Sequence, residues 1–395
     1  MGEGSGLDEL LVHETLQKLL AEDRESSIER AKTTLDNLVG PIGRRPVVLF
    51  GAGALGRKTL NGLRRLNLEP VAFADNDVRK AGTEVEGIRV FTLQTLIDEL
   101  GTDLSVIVTV FSEGHRYLST RERLRAAGVT AIAPFAALAW KFPDYFLPHM
   151  RIELPQDVLA HGADLNRALG CFSDAGSRKL FVSHVRWRLH LDFDGLPPPV
   201  QHQYFPPDIV QTKPGDVIVD CGAYIGDTLQ YALSSPHVHF SRWIAYEPDA
   251  FNYAQLIGYV RSLPLAIRES VEARNAAVTD RTGIVRFNSD SNTGSSISRE
   301  GQAVVNAVAL DDEMADQPVA LLKLDVEGAE IEALRGAERC IRKNRPIIAL
   351  ELTHNLRDLW VIPSYIKDLT LRYELFLRSH EDDGTDLVLY AVPSR

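Results

Sequence analysis

Cysteine is scarce in this chain: three in 395 residues, Cys171, Cys221 and Cys340. None stands in a C-x-x-C or Cys/His spacing, which argues against a disulfide framework or a structural zinc site and fits a reducing cytosol. Excess positive charge is missing too. The chain has 43 Lys and Arg against 54 Asp and Glu, a net charge of −11, so a general nucleic-acid surface is not expected without a local basic patch. No apolar run approaches the ~18–20 residues that a bilayer span requires. Residues 1–6 carry neither a basic nor an apolar stretch, and Gly6 breaks the myristoylation pattern, so neither a leader nor a lipid anchor is expected there. What is present is an ordinary soluble composition, 45% hydrophobic and 25% charged, long enough for two domains. A cytoplasmic protein is the expectation.

The pattern along the chain divides into four stretches. Residues 1–40 read as a helical segment, with apolar stripes at Leu10, Leu11, Leu16, Leu19 and Leu20 and at Ile28, Ala31, Leu35 and Leu38. This segment either packs on its own domain or is a homo-oligomerisation element. Residues 41–140 alternate strands and helices. An apolar strand at 46–50 enters Gly51-Ala52-Gly53-Ala54-Leu55-Gly56, a full G-x-G-x-x-G, and a second strand ends at Asp75, about 20 residues on. This describes a small parallel Rossmann-like domain. In it Gly51, Gly53 and Gly56 allow a tight turn beside a pyrophosphate, and Asp75 is a candidate for a ribose hydroxyl. A nucleotide or dinucleotide is therefore a candidate ligand. Residues 141–205 read as a linker or helical bridge, helical around 166–190, with Pro143, Pro148, Pro155 and Pro197-Pro198-Pro199 excluding regular helix on either side.

Residues 206–395 carry the chemistry. Strands are expected at 217–220, 243–246, 271–273, 320–324 and 347–351, then at 373–378 and 387–392 as a C-terminal hairpin. Asp220 ends the first of these, where doubly wound sheets bind ligands, and Gly222 and Gly226 let backbone approach a ligand. Glu247 ends the next strand, just before Pro248, and an ionised carboxylate there accepts two hydrogen bonds from vicinal ribose hydroxyls. Asn275-Ala276-Ala277 follows the third strand. The Ser/Asn/Gly-rich segment 288–296 reads as a mobile lid whose Ser295 or Ser296 approaches the cofactor or substrate. Lys323, Asp325 and Glu327 alternate along a strand end, which puts them on one face if the strand stays regular. Glu351 closes the neighbouring strand and His354 follows it, so all five should converge. Asp325 or His354 is the candidate proton acceptor; an ion-pair network that only fixes strand ends is the structural alternative. Carboxylates and an imidazole also suit a divalent ion, but none is expected to be required.

These motifs, D-x-G-A-x-x-G at 220–226, Glu247-Pro248, Asn275-x-Ala277-Val278 and K-x-D-V-E-G-A-E at 323–330, resemble the FkbM family of S-adenosylmethionine (SAM) methyltransferases. The resemblance covers about residues 200–395. It implies a seven-stranded α/β methyltransferase sheet closed by an antiparallel hairpin, with SAM as cofactor. It also implies O-methylation of a hydroxyl on a sugar, glycan or polyketide-type small molecule. SAM contacts would come from Asp220, Cys221, Gly222, Ala223, Tyr224, Gly226, Asp227, Thr228, Glu247, Pro248 and Asn275, from Ala276 and Ala277, and from Ser295 and Ser296. The resemblance maps its reacting centre onto Lys323, Asp325, Glu327 and Glu351, beside His354. Asp249 departs from the family, which often has proline there. Two other readings stay open: a dinucleotide-dependent oxidoreductase centred on Gly51 to Asp75, and a nucleotide-sensing or docking protein with an inactive methyltransferase unit.

Overall fold

Short apolar runs separated by amphipathic helices favour parallel strands covered on both faces, and the computed structural model is built that way. It describes residues 4–111, 114–149, 151–288, 296–297, 303–314 and 316–394, with no side chains for residues 4–8, 288, 296 and 297. The chain divides into two compact units. The first is Met1–Ala163 with Lys179–Pro198 and Glu381–Thr385; the second is Asp164–Arg178, Pro199–His380 and Asp386–Arg395.

In the first unit β1 (Val47–Phe50), β2 (Ala72–Ala74), β3 (Glu84–Val85), β4 (Ile88–Phe91), β5 (Ser105–Val108) and β6 (Ala131–Pro134) form one sheet in the order β3-β4-β2-β1-β5-β6. All neighbours are parallel except β3 on β4. This is the expected Rossmann-like arrangement, with the short β3–β4 hairpin added. One face packs Leu49, Ile107 and Ala133 against Ala31, Leu35 and Val39 of the helix Arg24–Val39. The preceding helix, Gly4–Leu20, buries Val12 and Leu16, half-buries Leu19 and Leu20 and leaves Leu10 and Leu11 exposed, so only part of the expected leucine stripe faces inward. Proline did not exclude helix between 141 and 160. Pro143 and Pro155 each open a short one, at the first position, where a missing N–H costs nothing.

In the second unit β7 (Val217–Cys221), β8 (Arg242–Tyr246), β9 (Val271–Arg274), β14 (Leu321–Leu324), β15 (Ile347–Glu351), β16 (Tyr373–Ser379) and β17 (Leu387–Pro393) make a seven-stranded sheet, ordered β16-β17-β15-β14-β7-β8-β9. β17 runs antiparallel to both β15 and β16, and the other pairs are parallel. A second, smaller sheet was not foreseen. It is made of β10 (Ala277–Val278), β11 (Gly283–Asn288), β12 (Ser296–Ile297) and β13 (Ala303–Val308). The chain leaves β7 toward β8 and β9 and returns to β14 on the other side of β7. The carboxyl ends of β7 and β14 therefore flank the switch point, where open α/β sheets form their binding crevice. Among the described residues no helix is long and apolar enough to cross a membrane.

Candidate active site

Two turns meet at that switch point. After β7, Gly222, Tyr224 and Gly226 all take positive φ, at 81°, 47° and 94°. A Cβ on Gly222 would lie 1.7 Å from the carbonyl oxygen of Asp325. No side chain fits there, so this glycine brings the β7 turn onto the end of β14. Cys221 and Ala223 are fully buried, Thr228 is buried in the first helical turn beyond Gly226, and Asp227 is exposed there.

Glu247, at the end of β8, spans the same turn. Its Oε2 accepts the Tyr224 N–H at 2.9 Å and its Oε1 the Asp249 N–H at 2.8 Å. Each oxygen keeps a second acceptor position. The group is only 5% exposed, and burial pushes its pKa up to about 7 against those backbone bonds. Pro248 directs the chain outward, and Asp249 caps the following helix by accepting from Phe251 and Asn252 N–H groups. That gives the departure at this position a structural role. Asn275 Nδ2 donates to the carbonyls of Glu247 and Pro248, at 2.8 and 3.1 Å. Ala276 and Ala277 are buried, Ala277 within β10. Ser295 lies outside the described residues, and of Ser296 only the backbone, in β12, is described.

Asp220 is wholly buried. Burial pushes its pKa up to about 6, although Lys323 Nζ lies 3.1 Å from its Oδ1 and pulls the other way. Among the described residues neither oxygen has a hydrogen-bond partner of good geometry. Lys323, itself 2% exposed, donates to the Gly222 carbonyl at 2.6 Å and sits 5.1 Å from the centre of the Tyr204 ring. Burial would lower its pKa, but Asp220 and Asp325 raise it, so it is a cation.

β14 ends at Leu324, one residue before Asp325, and Glu327 takes φ 53°, so the strand does not stay regular to Glu327. The side chains converge nevertheless. His354 Nε2 lies 3.6 Å from Asp325 Oδ1 and 3.4 Å from Glu327 Oε2. Lys323 Nζ is 3.7 Å from Asp325 Oδ2. Burial would depress the His354 pKa, but Glu330, Glu327 and Asp325 raise it well above the usual histidine range. Glu351 stands apart from these contacts. It is buried and accepts from the Thr353 N–H at 3.2 Å, from the Thr353 hydroxyl and from the Leu387 N–H at 3.1 Å. Burial and then Asp386 push its pKa up to about 8.

Sequence reasoning passed over two members of this group. Tyr204 lies in the stretch read as linker, yet it is buried and its hydroxyl donates to Asp325 Oδ2 at 2.8 Å. The signal was present in Tyr204-Phe205, two large aromatics in a segment otherwise read as linker. Glu330 is fully buried. Its Oε1 accepts from His354 Nδ1 at 2.7 Å and from the N–H groups of Val326 and Gly328, at 3.0 and 3.3 Å. It thereby fixes both the turn and the imidazole.

In the first unit, Gly51 takes φ 120°, and a Cβ on Gly56 would lie 2.0 Å from the Gly51 carbonyl oxygen, while Gly53 has nothing within 4 Å. Asp75 faces this turn. Its oxygens accept from the N–H groups of Ala52 and Asp77, both at 2.9 Å, and from Lys80 Nζ at 2.8 Å. Burial would raise its pKa, but Lys80 and the two N–H groups hold it low. A cavity of about 470 Å³ adjoins it, lined by Val78, Leu93, Ile97 and Arg123 among others.

The switch-point crevice, the glycine turn and the acid at the next strand end belong to a seven-stranded α/β fold of the methyltransferase type. Residues 220–381 match the methyltransferase FkbM domain, and residues 44–137 match the CoA binding domain. The C-terminal part of the chain is thus similar to FkbM methyltransferase domains, and the part before it is Rossmann-like. A crystal structure of methyltransferase FkbM from Methylobacillus flagellatus KT is similar over 94% of this chain and 100% of its own, with 21% identity and a TM-score of 0.74. At that identity the likeness establishes fold rather than activity. UDP-D-quinovosamine 4-dehydrogenase from Vibrio fischeri is 23% identical over 23% of this chain and 76% of its own, but its TM-score of 0.19 carries no argument. No curated protein matches.

Proposed function

We propose that the chain is a SAM-dependent O-methyltransferase acting on a hydroxyl of a sugar, glycan or polyketide-type small molecule. The observation that supports this most is the meeting of the two turns. Because Gly222 admits no Cβ beside the Asp325 carbonyl, the cofactor turn and the charged strand end are immediate neighbours. The residues suit the cofactor. Glu247 is already oriented by two N–H donors and keeps acceptor capacity for a ribose diol. Asp220 offers a buried oxygen without a hydrogen-bond partner among the described residues. SAM, when bound, supplies an electrophilic methyl group for in-line displacement.

The protein's own groups then have distinct tasks. Lys323 offsets the charge of Asp220 and leans on Tyr204. Tyr204 fixes one oxygen of Asp325 and leaves the other facing His354. Asp325 keeps 28% of its side chain exposed, enough to meet an acceptor, align it and take its proton. Removing the charge while keeping the shape should separate these tasks from cofactor binding. Asp325→Asn should slow single-turnover transfer at saturating SAM by about 10²–10⁴-fold and change SAM affinity little. The acceptor would come from a screen of glycan and polyketide hydroxyls. Transfer at the wild-type rate in Asp325→Asn would make that residue structural.

A further inference from the structure

We propose that Asp325, Glu327 and His354 form a site for a first-row divalent cation, contrary to the expectation that no metal is required. The three side chains offer two carboxylate oxygens and one imidazole nitrogen, all within 4.8 Å of one another. Ligands about 2.1 Å from an ion stand roughly 3 Å apart when adjacent in an octahedron. The observed 3.4 and 3.6 Å from His354 Nε2 to Glu327 and Asp325 are wider by a few tenths of an ångström, within reach of a small side-chain rotation.

Two contacts outside the ligand atoms point the same way. Nδ1 of His354 is bonded to the buried Glu330 carboxylate, which turns Nε2 toward the two carboxylates. A carboxylate behind the imidazole is the usual support of a metal-bound histidine. Oδ2 of Asp325 is bonded to Tyr204, which turns Oδ1 toward the same point. The imidazole is 5% exposed, and the nearest carboxylates to Nε2 are the two at 3.4 and 3.6 Å.

One imidazole beside two carboxylates suits a first-row divalent ion better than Ca²⁺ or Mg²⁺, which take oxygen donors, and Mn²⁺ is the paramagnetic probe of such a site. Three protein ligands leave the rest of the coordination shell to water and substrate oxygens, as catalytic sites do. Only the use of the ion rests on the methyl-transfer reading; its binding does not.

The test is a Mn²⁺ titration of the metal-stripped full-length protein, followed by electron paramagnetic resonance. One Mn²⁺ per chain is expected. Glu330→Gln should weaken it by about 10–100-fold, as loss of a supporting carboxylate does, and Asp325→Asn and Glu327→Gln should weaken it at least as much. Glu327 is 22% exposed on a turn, so its variant should fold even if the others do not. No binding up to millimolar Mn²⁺, or unchanged binding in Glu327→Gln, would overturn the site. Calorimetry with S-adenosylhomocysteine on the same samples separates the two readings. Binding of the nucleoside without Mn²⁺ overturns the cation site alone, whereas Mn²⁺ binding without the nucleoside supports the cation site and counts against SAM dependence.

Discussion

Both units of this chain place a glycine-rich turn after a buried strand and an acid at the end of the neighbouring strand, and the two acids are in opposite conditions. Asp75 has a lysine, Lys80, 2.8 Å away, as well as two backbone donors, and its pKa is held low. Glu247 has two backbone donors but no cation within ion-pair distance among the described residues, and burial lifts its pKa to about 7. The first carboxylate is already paired by its own loop. The second is oriented, desolvated and short of positive or hydroxyl partners, the condition of a group whose interactions are completed by a ligand. A fingerprint in sequence identifies the turn, and the bonding of the strand-end acid is what differs between the two units.

The glycines should show the contrast most strongly. Gly222→Ala forces a Cβ against the Asp325 carbonyl at positive φ, and should destabilise the second unit by about 4 kcal/mol or more. Gly53→Ala meets nothing within 4 Å and should leave the denaturation midpoint unchanged. If it does so but abolishes binding of a CoA or NAD probe to the full chain, the first unit also carries a ligand, and the comparison sharpens to two sites.

pH should separate the two acids next. Ionised Glu247 is the better ribose acceptor, and its pKa is about 7 in the ligand-free protein. SAM affinity should therefore be full above pH 7 and fall as pH drops below it, by up to about tenfold per pH unit. Titrations at several pH values would check this; affinity independent of pH between 5 and 8 would mean that Glu247 makes no charge-assisted bond.

Stability should respond to pH as well. Glu351 titrates near 8 in the fold against an ordinary 4.5. The fold favours its protonated form, so its contribution is complete below pH about 4.5 and is lost as pH rises through 8. Melting temperature should fall over that range, and less steeply in Glu351→Gln.

How much of this was legible in the sequence follows from which interactions are local. Strand ends and turns are local, so β7 with its glycines, Glu247 and the charged end of β14 could be read, as could the C-terminal hairpin. The small sheet of β10 to β13 could not: β11 and β13 carry exposed Ile284 and Val304 beside polar residues, and their pairing spans a polar segment that reads as loop. Tyr204 and Glu330 were missed because their partners are distant, Asp325 and His354 respectively. Prolines at 143 and 155 misled because their effect depends on position within a helix. Glu351 was expected among the converging groups by strand adjacency, and its Oε1 is instead bonded by Thr353 and Leu387, which follow from the chain's path after the strand.

The most direct test of the central claim is calorimetric titration of SAM into the full-length protein, its Glu247→Ala variant and its Asp75→Ala variant. One SAM per chain is predicted, weakened by about 1.5–3 kcal/mol in Glu247→Ala through loss of charge-assisted hydrogen bonds and unchanged in Asp75→Ala. Unchanged SAM affinity in a folded Glu247→Ala protein, or its loss in Asp75→Ala, would contradict the account.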